Sequence, residues 1–162
     1  MRSWDNRSRE VAYLLNPAFC GRILYSTIKT YNEVSKRAFP FPLIYLVLPL
    51  ILHKNTREHI SSKTQMLMWI QRYPELQVGY AERTKDLATI SNEAIEFLLQ
   101  SGLIQLTNNA ELEISKTIRP LSKTKFTNDE VKECIVKGEH VAKWFAGAGK
   151  VETIYISLGV RP

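Results

Sequence analysis

"SNEAIEFLLQSGLIQLTNNAELEIS", residues 91–115, is the stretch that decides the fold. Ile95, Leu98 and Leu99 recur at helical spacing, and Gly102 follows them as a residue typical of a helix C-terminus. Beyond the glycine, apolar and polar residues alternate on both sides of a turn rich in asparagine, which predicts a β-hairpin. The stretch therefore predicts an amphipathic helix that runs directly into a hairpin.

Two more helices are predicted immediately before this one. The first covers 64–75 and ends at Pro74. Its inward-facing residues are predicted to be Met66, Leu67, Trp69 and Ile70. The second covers about 79–87, and Thr89 or Ser91 then caps the third helix. The order is three helices followed by a hairpin.

That order is the order of a winged helix-turn-helix. We therefore expect a mainly α fold with a small β-hairpin (α+β), in which N-terminal helices and a C-terminal helix flank a winged-helix-like unit. The predicted segments are an N-terminal helical and apolar segment at 1–60, the winged-helix-like unit at 61–115, a basic linker at 116–126, and a C-terminal helix and tail at 127–162. A chain of 162 residues accommodates all four in one compact domain.

The flanking helices have their own start and stop signals. Asp5 or Asn6 can cap a first helix, which the Asn16-Pro17 pair ends while starting the next helix, 17–36. The apolar positions of the first helix are Val11, Leu14 and Leu15. Near the other end, Thr127 is predicted to cap a long helix that stops at Gly147 and Gly149. Its packing residues are predicted to be Val131, Ile135, Val141, Trp144 and Phe145. The tail beyond is predicted to be a strand or a short docking helix.

"FPFPLIYLVLPLILHKNTRE", 39–58, is the most apolar stretch of the chain. Its continuous apolar part is too short for a membrane-spanning helix, which needs about 20 residues, and its prolines remove backbone donors. Pro42 suits the first position of a short buried helix that ends or kinks near Pro49, and a buried strand is the competitor. The stretch could serve either as an internal core element or as an interface for another protein. We favour a core element whose ends, 40–42 and 53–58, reach the surface near a partner.

The residues that most often carry catalysis form no recognisable motif. His53, His59 and His140 have no completing cysteine or acidic cluster, so we expect no metal, no cofactor and no enzymatic activity. Cys20 and Cys134 are expected to be free buried thiols in a reducing cytoplasm. A small enzyme using His53 or His140 with a cysteine is a further hypothesis, without positive support.

The sequence contains neither a secretory signal nor a phosphate-binding loop. The charged start of the chain lacks an apolar core, so it is not a secretory signal, and we expect a cytoplasmic protein. "GAGK", 147–150, lacks the earlier glycine and the following hydroxyl residue of a phosphate loop, because Trp144 and Val151 occupy those positions. It is interpreted as a helix terminator.

The net charge of +6 makes an acidic partner or nucleic acid plausible without establishing either. The predicted third helix carries Glu93 and Glu96 and no lysine or arginine, which argues against major-groove recognition of DNA. A winged helix used as a protein-docking module fits better. The candidate DNA-phosphate contacts lie instead in and beside the basic linker: Lys116, Arg119, Lys123 and Lys125.

Three phrases, "LLNPAFCG", the 39–58 stretch and "WFAGAGKVETIYISLGVRP", resemble a family of small bacterial proteins. These are the middle components of three-component ABC-ATPase (ABC-3C) systems, which include the Lamassu anti-phage and anti-plasmid systems. The resemblance runs from Trp4 to Pro162. It implies an ABC-ATPase partner related to the structural-maintenance-of-chromosomes (SMC) proteins, and a separate effector, often a nuclease. It carries over no catalytic residue.

The leading hypothesis is therefore a non-enzymatic accessory subunit that bridges or regulates an SMC-like ABC ATPase and a nuclease-type effector acting against phage or plasmid DNA. This hypothesis includes non-specific contact with DNA through the complex, and it includes no contact with a membrane. The candidate partner-interface residues are Pro40, Phe41, Pro42, His53, Lys54, Arg57, Trp144 and Phe145. The alternative is a stand-alone winged-helix DNA-binding transcription regulator.

Overall fold

A computed structural model describes residues 15–121 and 125–161. The helices are α1 Pro17–Ser35, α2 Ile44–Ile51, α3 Lys54–Glu58, α4 Met66–Arg72, α5 Tyr80–Asp86, α6 Ala88–Gln100, α7 Asp129–Gly147 and α8 Val151–Ser157. The strands are β1 Phe39–Pro40, β2 Ile104–Leu106 and β3 Glu111–Ile114, and 3-10 turns cover Phe41–Leu43 and Pro74–Gln77. The mainly α fold with a small β element is confirmed. The predicted first helix, with Asp5, Asn6, Val11 and Leu14, lies outside the described residues.

The predicted hairpin is present, and it gains a third strand that the sequence did not predict. The antiparallel order is β1-β3-β2, with Ile104 opposite Ile114 and Phe39 opposite Leu112. The strand β1 has only two residues, and Pro40 cannot donate to a sheet, which explains its place at an edge. Phe39 is fully buried, so this short pairing attaches the start of the apolar stretch to the hairpin.

Helix α1 is the centre of the fold, with α7 and α6 packed against it. The Asn16-Pro17 signal is confirmed, because the Ala18 amide donates to the Asn16 side chain at 2.7 Å. A glycine makes the α1–α7 contact close. A Cβ atom placed on Gly138 would lie 2.9 Å from Thr27 Oγ1, so a side chain there would require Thr27 or the helix backbone to shift.

The apolar stretch forms a buried helix, as favoured. Pro42 lies in the 3-10 turn, and α2 begins at Ile44 and continues through Pro49. Pro42 therefore lies at a helix start as predicted, although in the 3-10 turn and not in α2 itself, and α2 ends at Ile51, close to Pro49. Pro49 is the sixth of the eight residues of α2 and cannot donate to the Tyr45 carbonyl, so one backbone hydrogen bond is lost, while the Leu52 amide still bonds to the Leu48 carbonyl at 2.8 Å. Burial of the whole segment outweighs that loss.

Helix α4 is shorter than predicted and presents a narrower inward face. Met66 and Trp69 are buried, whereas Leu67 is 51% exposed, so its predicted inward position is wrong. Residues three apart share a face of a short helix, and adjacent residues do not. Helix α5 agrees with the prediction, with Gly79 in the left-handed conformation just before it.

The predicted N-caps of α6 and α7 are also corrected. Thr89 and Ser91 lie inside α6, because α5 continues into α6 through Leu87 and leaves no loop for a cap. For α7 the cap is Asn128 rather than Thr127: its side-chain oxygen accepts from two helix amides, the nearer at 2.9 Å. Gly102 ends α6 with positive φ, as predicted.

The tail forms α8, which resolves the strand-or-helix alternative in favour of the helix. Ile154 and Tyr155 of α8 are buried, so it packs onto the body of the protein. Among the described helices, none combines the length and apolarity needed to cross a membrane.

Candidate partner-binding and nucleic-acid surfaces

The segment 53–58, predicted to reach the surface near a partner, is exposed at Lys54, Asn55 and Glu58, whereas Thr56 and Arg57 are buried and His53 is half-buried. His53 caps α3: its Nδ1 atom accepts from the Thr56 amide and lies 2.8 Å from Thr56 Oγ1. Burial, followed by the Arg83 guanidinium, lowers the pKa of His53, which favours the neutral ring that a cap requires. Lys54 is exposed beside Glu58. Of this segment, the Lys54 side chain is the part most available to a partner.

Arg57 is buried, with 2% of its surface exposed. Its guanidinium donates to Glu130 at 2.7 Å, to Glu133 at 3.0 Å and to the Ile51 carbonyl at 2.9 Å. Each of the three guanidinium nitrogens thus donates to a different acceptor, a geometry for which the planar arginine side chain is better suited than lysine. Arg57 thus joins the end of α2 and the turn of α3 to α7, and it offers a partner no free surface in this conformation.

Trp144 and Phe145 are likewise buried in this conformation, at 5% and 0% exposure. The Trp144 indole donates to the Thr64 carbonyl at 2.6 Å and its ring lies 5.2 Å from the Trp69 ring. Trp144 thus holds α7 against α4 and the residues before it. The predicted role of the two residues in a partner interface would require that contact to open.

Pro40, Phe41 and Pro42 do reach the surface. Pro42 is exposed and the other two are half-buried. The Phe41 ring meets the Tyr45 ring edge-on with centroids 6.1 Å apart. The Tyr155 hydroxyl donates to the Pro42 carbonyl at 2.5 Å. The predicted interface turn is therefore joined directly to α8.

A concave site, here called the Tyr45 pocket, lies beside that turn, with a volume of about 590 Å³. The residues that line it and matter below are Tyr45, Lys85, Ala88, Tyr155, Val160 and Arg161. Burial, followed by the neighbouring Tyr45, raises the pKa of Tyr155, so the Tyr155 phenol is neutral at physiological pH. The pocket brings together α2, α5, α8 and the residues after α8, which are far apart in sequence.

A second concave site, the Asn32 groove, lies between the end of α1 and β3, with a volume of about 590 Å³. Its lining includes four cations, Lys29, Lys36, Arg37 and Lys116, against the carboxylates Glu33 and Glu113. Lys116 was predicted as a phosphate contact, and the three cations of α1 and its end were missed. Tertiary contacts bring β3 beside α1, so the one local signal in the sequence was the Lys36-Arg37 pair at a predicted helix end.

The side chain of Asn32 fixes this groove. Its amide nitrogen donates to the carbonyls of Arg37 and Leu112 at 3.0 and 3.3 Å, and its oxygen accepts from the Ile114 amide at 3.2 Å. One amide therefore ties α1, the turn after it and β3 together. The cations along the groove project from a rigid frame.

The other predicted phosphate contacts are placed less closely together. Arg119 and Lys125 are exposed, but neither lines the groove, and Lys123 lies outside the described residues. On α6, Glu93 is buried while Glu96 is exposed and accepts from Gln100 at 3.1 Å. The exposed face of α6 still carries no lysine or arginine.

The thiols and the remaining histidine show no activating environment. Burial, with a smaller effect of Cys134, raises the pKa of Cys20 to about 12, and burial also raises the pKa of Cys134. A thiol that stays protonated is a poor nucleophile. Burial and then Lys137 and Lys143 lower the pKa of His140. Within the part of the chain that is described, no group of three or more His, Cys, Asp or Glu residues could hold a metal ion.

Comparison with known proteins gives one match. The family model for the ABC-three component (ABC-3C) system Middle Component 3 matches residues 4–162. No curated protein and no solved structure matches the chain.

Proposed function

The chain belongs to the Middle Component 3 family of ABC-3C systems, and from this premise we propose that it is a non-enzymatic accessory subunit of a defence complex. It would bridge or regulate an SMC-like ABC ATPase and a nuclease-type effector, in a Lamassu-type system of the cytoplasm that acts on phage or plasmid DNA. The observation that carries the proposal is the family match over nearly the whole chain. Membership in a middle-component family implies that an ABC ATPase and a further component are its partners.

The arrangement of elements supports a winged-helix-like body for this subunit. The first long helix is followed by an edge strand, then by helices ending in α6, and then by the hairpin. The sheet order β1-β3-β2 places the hairpin's second strand between its first strand and β1. We propose that the body serves protein docking, since α6 offers no cation to a DNA major groove.

The absence of a catalytic role is also part of the proposal. The protonated Cys20 and Cys134 thiols and the capping role of His53 support it. In the assembled complex, Cys20→Ala, Cys134→Ala and His140→Ala should each leave effector activity and ATP hydrolysis unchanged, provided that the variants fold. A variant that folds and assembles but abolishes effector activity would identify a catalytic subunit instead.

The decisive experiment for the accessory-subunit proposal is co-expression with the other two components of the same system. A tag on this chain should retain the ATPase subunit through size-exclusion chromatography, and deletion of this chain should uncouple the effector from the ATPase. If the tagged chain elutes alone as a stable monomer while the ATPase and effector associate without it, the proposal fails.

Contact with DNA is proposed through the Asn32 groove, in place of α6. The groove has two more cations than carboxylates, and the chain as a whole carries +6. Each phosphate contact adds about 0.9 to the slope of log K against log salt. Lys36→Glu with Lys116→Glu should therefore lower the slope by about two for a random-sequence duplex measured by fluorescence anisotropy. Lys63→Glu with Lys143→Glu, which makes the same charge change elsewhere, should leave the slope unaltered.

Sequence preference in DNA binding distinguishes the alternative, a stand-alone transcription regulator, from this proposal. A regulator would prefer one operator sequence over random duplex by a factor of about a thousand or more. The proposed accessory subunit would show no preferred site in a selection from random sequences at physiological salt. Recovery of one enriched site would favour the regulator.

A further inference from the structure

The Tyr45 pocket has the shape and lining of a site for a side chain from another protein. The rings of Tyr45 and Tyr155 and the apolar atoms of Ala88 and Val160 form its walls. Its volume, about 590 Å³, falls in the range of about 300–1,000 Å³ typical of binding pockets. Space is free above Gly159 as well, where an added Cβ atom would meet nothing within 4 Å.

The polar groups of the pocket walls already have partners in the protein, which limits what can recognise a ligand. The Tyr45 hydroxyl donates to Asn92 at 2.7 Å and the Tyr155 hydroxyl donates to the Pro42 carbonyl. The Thr84 hydroxyl donates to the Tyr80 carbonyl at 2.9 Å. Their donors are thus occupied, and the donors left to a ligand are those of charged side chains.

Those charged side chains are Lys85 and Arg161. None of the residues lining the pocket is acidic, in contrast to the Asn32 groove, where carboxylates accompany the cations. Lys85 and Arg161 are both exposed, and neither forms an ion pair with another residue in 15–121 or 125–161. A guanidinium and an ammonium beside an apolar hollow are complementary to carboxylates flanking an apolar side chain.

We propose that the Tyr45 pocket binds an acidic segment of the ABC-ATPase subunit, which places an apolar side chain between the two tyrosine rings and carboxylates against Lys85 and Arg161. The inference rests on the proposed function, because it assumes the ATPase as the partner, and it adds where and by what chemistry the two proteins meet. The predicted interface turn, Pro40–Pro42, borders the pocket through the Phe41–Tyr45 and Tyr155–Pro42 contacts. The segment would therefore cover that turn as well.

The first test is zero-length cross-linking of the purified complex with a carbodiimide, which joins an amine to a carboxylate only when the two are in direct contact. Mass spectrometry should find Lys85 joined to an aspartate or glutamate of the ATPase subunit. Lys63 and Lys143, exposed on another part of the surface, serve as internal comparisons. Cross-links to the ATPase from Lys63 or Lys143 and none from Lys85 would overturn the assignment of the pocket.

The second test measures affinity for the purified ATPase subunit by biolayer interferometry. Lys85→Glu with Arg161→Glu should weaken binding by about tenfold or more, and more strongly at low salt. The control is Lys63→Glu with Arg72→Glu, an exposed lysine and arginine with the same total charge change, which should bind as the unaltered chain does. Circular dichroism of both variants checks that each is folded.

The outcomes separate the pocket from the function. If the unaltered chain binds the ATPase and both double variants bind equally well, the pocket inference is wrong and the accessory-subunit proposal stands. If the unaltered chain fails to bind the ATPase in the presence of the third component, both are wrong. Loss of binding in the Lys85 and Arg161 variant alone, recovered by reversing acidic residues of the cross-linked ATPase segment to lysine, supports both.

Discussion

Replacement of Arg57 by alanine tests whether the charged end of the apolar stretch is part of the protein's framework. The substitution removes hydrogen bonds to Glu130, Glu133 and the Ile51 carbonyl from a side chain that is 2% exposed. Bonds to charged groups contribute about 1.5–3 kcal/mol each, and an orphaned buried carbonyl costs about 1–3 kcal/mol. Because both carboxylates can turn toward water, we discount the sum to about 3 kcal/mol.

The assay is thermal and urea unfolding followed by circular dichroism. For a chain of this size, about 3 kcal/mol corresponds to a fall in Tm of about 6–12 °C. Glu130→Ala should cost less than about 1 kcal/mol because its side chain is 65% exposed, and Glu133→Ala should fall between the two because its side chain is 34% exposed. Arg57→Lys should recover part of the loss, since lysine keeps the charge without the planar fork.

The matched control is Arg72→Ala, an exposed arginine on a neighbouring helix, which should change the stability by less than about 0.5 kcal/mol. The refuting result is an Arg57→Ala protein as stable as the Arg72→Ala protein, combined with weakened binding to the ATPase. That pattern would make Arg57 an interface residue, as the sequence suggested, and would require the buried conformation to open in the complex.

Three further predictions concern the core and the turn before α2. Gly138→Ala should lower the free energy of unfolding by about 1–2 kcal/mol, because the added methyl group crowds the α1–α7 contact. Gly147→Ala is the control: with open space around it, it should leave the free energy of unfolding equal or raise it by up to about 1 kcal/mol. Urea unfolding measures both. Cys20 should resist a thiol reagent until the protein unfolds, because it is buried. Its pKa in the folded protein is raised from 9.0 to about 12, so above about pH 9 the thiol ionises in the unfolded chain first. The stability of the protein should therefore decline as pH rises from about 9 towards 12. Tyr155→Phe should cost about 1 kcal/mol in thermal unfolding by removing the bond to the Pro42 carbonyl.

Local signals in the sequence predicted the elements whose ends are determined locally. Asn16-Pro17 starts α1 and Gly102 ends α6, because a cap or a left-handed residue acts within one turn of chain. The predictions failed where tertiary contacts decide. The α5–α6 junction passes through Leu87 without a loop, so Ser91, a good cap in isolation, is placed inside a helix. Leu67 is as apolar as a core residue, but it lies on the face of α4 that points away from the core.

In the candidate sites, too, single residues could be identified from the sequence, but the residues that tertiary contacts bring beside them could not. Lys116 was identifiable from the basic linker, but Lys36 joins it only through the pairing of β3 and the Asn32 hydrogen bonds, which span about 80 residues of sequence. Lys85 and Arg161 lie in different predicted segments, and no periodicity links them. Charges recruited to one surface from distant parts of the chain leave no spacing pattern to detect.

The burial of the apolar stretch restricts where a partner can bind. Since α2 is covered by α1, α5, α6 and α7, its buried apolar residues are not available as a hydrophobic interface. The parts of the apolar stretch that reach the surface are the turn before α2, held by Tyr155, and the Tyr45 ring beside it. A partner that bound there would contact the turn before α2, Lys85 and Arg161 together, and its affinity would depend on Lys85 and Arg161 more than on buried apolar area.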